Sequence, residues 1–353
     1  MTIALEHAKP FVATVQPTTK AKAAPLTDDR ARLSIITPAY NEADNLPLLY
    51  ERLYQVCTSA AIDWEWIIVD DHSTDNTFKV ITELAAANPR IQALRFARNF
   101  GSHTAIRCGM QHAWGDCAVI MAADLQDPPE TLPMLLAKWR QGDQVVWAVR
   151  DAREGESVGT VGFARLYYFL MRRVLGLKEM PASGADFFLL DRRVIDALCQ
   201  FNESNVSLMA LITWMGFRQG QIIYDKQARL HGQSGWNLHK KLKLVVDSIT
   251  SFSYLPIRLM TYVGFLVALA GFLYAGLVVV NAVTGHPTEG WSSLMVVVLV
   301  VGGLQMLMMG VLGEYLWRAL DETRRRPRYI VEASLGAPET LYQLPAATPN
   351  HHE

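Results

Sequence analysis

Residues 33–42 read LSIITPAYNE, residues 64–75 WEWIIVDDHSTD and residues 117–130 CAVIMAADLQDPPE. Each opens as a short apolar run and ends abruptly in polar and acidic residues. Such a run, closed by turn formers, reads as a buried strand. Working outward, Ile91–Phe96 and Gln144–Val149 repeat the apolar pattern. Ala43–Cys57, Asp75–Ala87, Ser102–Ala113 and Glu130–Arg140, which lie between the runs, read as helices. Asp75 and Ser102 are the expected N-caps, and Pro47 falls in a first helical turn, where proline is tolerated. Strands alternating with crossover helices predict a three-layer α/β domain around a mostly parallel sheet.

The chain has 353 residues, 33 basic and 34 acidic side chains, 50% hydrophobic residues and a net charge of −1. This balance excludes a disordered chain and a strongly basic nucleic-acid binder, so no nucleic-acid partner is expected. Cys57, Cys108, Cys117 and Cys199 show no CxxC spacing, which implies neither a zinc ribbon nor a disulfide framework. Residues 1–31 lack the ~7–15-residue apolar core of a signal peptide and read as a disordered tail, with a targeting segment as the alternative.

The apolar excess sits near the C-terminus. Met260–Val283 and Gly290–Gly313 contain no charged residue. Twenty-four helical residues reach ~36 Å, enough to cross a hydrocarbon core of ~30 Å. With a short connector at Thr284–Glu289 they form a hairpin whose outer ends share one side, and the competing reading is a pair of buried core helices. Those ends carry Lys240, Lys241, Lys243 and Arg258 before the hairpin, and Arg318, Arg324, Arg325, Arg326 and Arg328 after it. By the positive-inside rule that side is cytoplasmic, and the Asn202 and Asn205 sequons are therefore discounted. Leu238–Ser253 places Leu238, Leu242, Val245, Val246, Ile249 and Phe252 on one helical face and lysines on the other. It is expected in the membrane interface, or packed on the soluble domain. The expected layout is a tail over 1–31, a catalytic domain over 32–236, an amphipathic helix over 237–256, a hairpin over 257–317 (spans about 260–283 and 291–316), and a basic segment with a flexible tail over 318–353.

In open α/β sheets, ligands bind beyond the carboxyl ends of the strands. Three strand ends deliver Glu42, Asp70, Asp71, Asp124 and Asp127 to one rim. Five converging carboxylates would repel one another unless a cation or hydrogen-bond donors were present, which favours a divalent metal with a hydroxyl-rich ligand. Neither a GxGxxG turn nor a P-loop occurs, so dinucleotide and P-loop chemistry are not expected. Asp124 and Gln126 flank one residue, which puts two oxygen donors on one side of an extended strand end, suited to Mg²⁺ or Mn²⁺. Arg98, Arg150 and Arg153 follow strands and can pair with phosphates.

Pro38-x-x-Asn41-Glu42, Asp70-Asp71-x-Ser73-x-Asp75, Asp124-x-Gln126-Asp127-Pro128-Pro129-Glu130, Arg229-x-x-Gly232-x-Ser234 and the C-terminal hairpin occur in order over residues 33–330. Together they resemble the family 2 glycosyltransferases. The branch resembled transfers a sugar to a polyprenyl phosphate and includes the dolichyl-phosphate mannose synthases and the undecaprenyl-phosphate glucosyl- and aminoarabinosyl-transferases. The resemblance implies a GT-A-like fold and an inverting hexosyl transfer from a nucleotide sugar to undecaprenyl phosphate at the cytoplasmic face of the inner membrane. UDP is preferred, with GDP as the alternative. It further implies that Pro38, Tyr40, Glu42 and Asp71, with Arg98, hold the nucleoside diphosphate, and that Asp124 and Gln126 hold the metal. Asp127 would act as a base or orient the site, and Arg150 would bind phosphate at the reaction centre. Arg153, Arg229 and Ser234 would serve the acceptor side, and Asp186 would lie near the sugar or cap a helix. Gly235 stands where many relatives have Lys. A helix over Gly162–Val174 is expected to approach the headgroups, and a homo-oligomer, tetrameric in many bacterial relatives, is implied. The alternatives weighed are a non-catalytic nucleotide-sugar-binding scaffold and a processive polysaccharide synthase. The latter's Q-x-x-R-W motif is not in the sequence.

Overall fold

The computed structural model describes residues 31–150, 173, 186–201, 203, 207–227, 250, 253, 255–284, 290–324 and 326–336. Arg153, Arg229, Ser234 and Gly235 lie outside the described residues. So do the stretches Gly162–Val174 and Leu238–Ser253, apart from Arg173, Thr250 and Ser253.

Eight strands form one sheet in the order β7-β5-β6-β4-β1-β2-β3-β8. They are β1 (Arg32–Ala39), β2 (Asp63–Asp70), β3 (Ile91–Phe96), β4 (Cys117–Ile120), β5 (Val145–Arg150), β6 (Phe188–Asp191), β7 (Gln219–Tyr224) and β8 (Val331–Leu335). The β1/β2, β1/β4, β2/β3 and β5/β7 pairs are parallel, whereas β6 and β8 run antiparallel to their neighbours. The carboxyl ends of β1, β2, β3, β4, β5 and β7 therefore open onto one rim.

Strand alternation sends side chains to two cores. Leu33, Ile35, Trp66 and Val119 pack with Leu46, Leu49, Leu53 and Ile81 from the helices α1 (Asn45–Ser59) and α2 (Thr77–Ala87), together with α4 (Leu132–Arg140). Ile36, Ile67, Val69 and Ile120 pack with α3 (Ser102–His112), α5 (Arg192–Gln200) and α6 (Leu208–Trp214) on the opposite face. The mostly parallel three-layer architecture is as expected. Asp75 is not the N-cap of α2, a position Asn76 takes, but from one residue earlier its Oδ1 accepts the Thr77 N–H at 2.9 Å. Ser102 is not a cap: Gly101, with φ of 92°, takes that position and Ser102 starts the helix. A left-handed turn that only glycine adopts cheaply is what redirects the chain there.

α7 (Leu255–Val283) and α8 (Trp291–Thr323) are both long and apolar enough to cross a membrane. Their side chains are not core: Phe272 is 79% and Met306 77% exposed, which removes the buried-helix alternative. Gly264 on α7 faces the Met308 side chain on α8. Beyond α8 the chain returns to the α/β domain. The flexible tail expected at the end of the 318–353 segment is corrected at Val331–Leu335, which pairs with β3 from Ala93 to Phe96. The Ala97 N–H also donates to the Ile330 carbonyl at 2.9 Å. What orders this segment is the open edge of β3, a partner more than 200 residues away in sequence that no local pattern announces.

Candidate active site

Three of the four non-glycine residues with positive φ among the described residues lie on the rim: Asn41 (57°), His72 (62°) and Leu125 (60°). Such conformations cost free energy and persist where the surroundings enforce them. Here one sits in each acidic turn.

The turns after β1 and β2 are laced together. The Asn41 N–H donates to Ser73 Oγ at 3.0 Å, and Asn41 Oδ1 accepts the Thr74 N–H at 2.9 Å. The Glu42 N–H donates to Thr77 Oγ1 at 2.8 Å, and Glu42 Oε2 accepts from Asn45 Nδ2 at 2.6 Å. Asp70 is fully buried, accepts the Ser73 N–H at 3.0 Å and lies 3.7 Å from the Arg95 guanidinium. Asp71 uses both carboxylate oxygens on backbone donors ahead of α3, the Phe100 N–H at 2.6 Å and the Gly101 N–H at 2.8 Å. Burial raises its carboxyl above the usual range, against those two donors, and the charge of Asp70 adds to the rise. Pro38 lies opposite Val69 in register, Tyr40 is 46% exposed, and Arg98 stacks 4.4 Å over the Phe100 ring.

A second group gathers where β4, β5 and β7 end. β4 stops at Ile120, so Asp124 and Gln126 are not flanking residues of an extended strand as expected. Left-handed Leu125 folds the turn instead, sends its own side chain into the core, and lets Asp124 Oδ1 accept the Gln126 N–H at 3.2 Å. Asp127 is 1% exposed. Its Oδ1 accepts the Tyr224 hydroxyl at 2.6 Å and lies 3.7 Å from Lys226 Nζ, while its buried Oδ2 has no hydrogen-bond partner. Burial pushes the Asp127 carboxyl up, Asp124 and Asp186 add to the rise, and Lys226 and the phenol oppose it. Burial and Asp127 likewise raise the Tyr224 phenol, and Arg150, its register partner on β5, pulls it down. Asp186 is thus within electrostatic reach of Asp127 and Tyr224, and also of His103 on α3, whose protonation burial disfavours. Among the described residues it caps no helix: Asp191 caps α5, accepting the Arg193 N–H at 2.9 Å.

The five expected carboxylates therefore share a rim but not one cluster. Backbone donors satisfy Asp71, and Asp70, whose buried Oδ2 accepts no hydrogen bond, has the Arg95 guanidinium 3.7 Å away as its counter-charge, so repulsion there calls for no metal ion. Among the described residues no three His, Cys, Asp or Glu side chains form a metal cage. The oxygen set beside the unpaired Asp127 Oδ2 does fit a hard cation that takes one or two ligands from protein.

Tyr224, Lys226 and Gln227 were not anticipated. The Gln227 N–H donates to the Gln126 carbonyl at 2.9 Å, and its side chain accepts from Arg52 at 3.1 Å. Arg52 also forks onto Glu130 at 3.2 and 2.6 Å. Only the alternation of Tyr224 and Lys226 after an apolar pair hinted at this strand end.

Residues 34–199 match glycosyl transferase family 2, and residues 255–318 match the GtrB C-terminal hairpin. An uncharacterized glycosyltransferase of Synechocystis is 39% identical over 85% of this chain and 94% of its own. A prophage bactoprenol glucosyl transferase homolog of Escherichia coli is 33% identical over 85% and 98%. A mannosyltransferase of Pyrobaculum calidifontis, solved with GDP-Man and Mn²⁺, superposes over 82% of this chain and 88% of its own, with 18% identity and a TM-score of 0.41. The family match and these relatives make the chain a transferase, whose mostly parallel three-layer domain is GT-A-like. The chain belongs to glycosyl transferase family 2 and carries the C-terminal hairpin of the GtrB proteins.

Proposed function

We propose that this enzyme moves a hexosyl group from a nucleotide sugar, UDP-linked by preference, to a polyprenyl phosphate such as undecaprenyl phosphate. The site works at the cytoplasmic face of the inner membrane. The observation that carries the reading is the acidic Asp124–Asp127 turn, with a buried, half-paired carboxylate, on the same chain as an exposed apolar hairpin. The relatives named as bactoprenol glucosyl transferases support the same acceptor class. Arg258 in the first turn of α7, Arg318 near the end of α8, and Arg324, Arg326 and Arg328 beyond it support the cytoplasmic side.

Asp124 and Gln126 would hold Mg²⁺ or Mn²⁺, which when bound takes up charge on the departing diphosphate. An acceptor phosphate oxygen forms a bond to the anomeric carbon as the bond from that carbon to the diphosphate breaks, and the electron pair leaves with the diphosphate. A phosphate monoester with a second pKa of ~6 is already an anion at neutral pH, so no general base has a proton to remove. Asp127 then serves orientation, fixed by the Tyr224 hydroxyl. Arg150 would face phosphate, Asp186 the sugar, and Pro38, Tyr40, Glu42, Asp71 and Arg98 the nucleoside side. Arg153, Arg229 and Ser234 would serve the acceptor side, as the family motifs imply. Oligomerisation, tetrameric as in many relatives, is part of the same proposal.

The test is incubation of the purified full chain with undecaprenyl phosphate, Mn²⁺ or Mg²⁺, and a panel of nucleotide sugars. Label is expected in a solvent-extractable lipid, and Asp124→Ala is expected to abolish it with the melting temperature preserved. Full turnover in that variant removes the metal assignment, and absence of lipid-linked sugar from every donor removes the acceptor.

A further inference from the structure

We infer that Lys226 is a phosphate-binding residue of this site, its ammonium engaging the diphosphate of the donor rather than serving only as the counter-ion of Asp127. The inference rests on the proposed function and adds a residue to it. Lys226 lies two residues beyond the end of β7, and the next residue, Gln227, is bonded through its N–H to the Gln126 carbonyl. The lysine is thereby fixed over the Asp124–Asp127 turn, with only 15% of its side chain exposed. A lysine ordinarily keeps its ammonium in water, so this placement needs a reason.

Pairing with Asp127 is the obvious reason, and the geometry makes it an incomplete one. Nζ is 3.7 Å from Oδ1, outside hydrogen-bond range, and that oxygen already takes the Tyr224 hydroxyl at 2.6 Å. The other oxygen, Oδ2, is buried and unpaired, and the lysine has not moved onto it. Among the described residues Lys226 makes no hydrogen bond. Its three N–H donors are held at the turn by Coulomb attraction while none is used on the carboxylate. A diphosphate brought to Asp124 and Gln126 would meet a cation already desolvated and oriented, which strengthens a charge-assisted contact.

Removing one charge-assisted contact corresponds to a roughly 10- to 100-fold loss of affinity. The test titrates UDP, GDP and uridine against the full-length protein in Mn²⁺ and measures its transfer KM for undecaprenyl phosphate, as wild type, Lys226→Met, Lys226→Arg and Lys226→Met/Asp127→Asn. Lys226→Met is expected to weaken UDP by that factor and leave uridine unchanged, Lys226→Arg to restore most of the loss, and the double variant to restore none. The double variant carries no unpaired buried charge, so the comparison survives if Lys226→Met alone does not fold. Recovery of UDP affinity in the double variant would make Lys226 a counter-ion and overturn the inference. So would intact UDP affinity with a raised KM for undecaprenyl phosphate, which would place the lysine on the acceptor. A wild type that binds neither UDP nor GDP refutes the proposed function, and this inference with it.

Discussion

Asp71→Ala separates a structural role from a nucleoside contact. In the native structure the Asp71 carboxylate accepts the Phe100 and Gly101 N–H groups at 2.6 and 2.8 Å, and the residue is only 3% exposed. Hydrogen bonds to an ionised partner contribute about 1.5–3 kcal/mol each. Alanine strands both amides at the turn into α3, although loss of a buried charge returns part of the cost, since burial is what raises the Asp71 carboxyl. A net loss of about 3 kcal/mol follows, and at about 2–4 °C per kcal/mol for a domain of this size the melting temperature falls by roughly 6–12 °C. The assay is thermal unfolding of the detergent-solubilised protein without nucleotide. Asp71→Asn keeps one acceptor oxygen and should fall between wild type and alanine. A nucleotide-free melting temperature within about 1 °C of wild type, with only nucleotide affinity reduced, would show that Asp71 does not hold α3.

Asp127→Asn should be more stable than wild type at neutral pH while losing transfer activity. Because burial raises the folded-state pKa of Asp127 above its unfolded value, the stability linked to its protonated form is present below pH ~4 and lost as pH rises through the folded pKa. The melting gap between variant and wild type, measured in EDTA, should therefore widen from about pH 4 to about pH 7; a constant or narrowing gap refutes the burial argument. Gly109→Ala on α3 should destabilise by about 1–2 kcal/mol despite a gain in helix propensity of about 1 kcal/mol, because overpacking outweighs it. The added methyl would sit 2.4 Å from Ile36 Cγ2, itself fully buried, and a raised melting temperature would contradict the packing of α3 on β1.

How much of this was legible in the sequence follows from where each signal lives. β1, β2, β3 and β5 and the first four helices fall within two residues of the apolar runs and helical stretches read for them, as strands buried on both faces must be apolar throughout; β4 ends two residues early. β6, β7 and β8 were missed. Phe188–Asp191 is four residues long, and the strands at either edge of the sheet, β7 and β8, owe their order to partners elsewhere. The site divides the same way. Asp71, Asp124 and Asp127 stood out because acids at strand ends are local features. Tyr224 bonds to Asp127 across 97 residues of sequence, and the left-handed backbone at Leu125 contradicts what a buried leucine normally signals.

The chain beyond the hairpin ties the two apolar helices to the α/β domain. Tyr315 on α8 donates to the Ser253 carbonyl at 2.9 Å, ahead of α7, so the two helices are tied at their outer ends. Arg328 then donates to the Phe201 carbonyl at 2.5 Å, Tyr329 stacks 5.1 Å from Phe96 and donates to Gln111, and β8 closes on β3. Glu332 on β8 reaches Arg95 at 3.4 Å, and Arg95 reaches Asp70 at 3.7 Å, so the tie continues to the donor-side turns. A flexible linker would leave catalytic domain and membrane free to sample many separations, most of them useless for a phosphate confined to the headgroup plane. With the chain returning to the sheet edge, that freedom is surrendered once, on folding, rather than at each turnover, which is where orientation contributes most to rate.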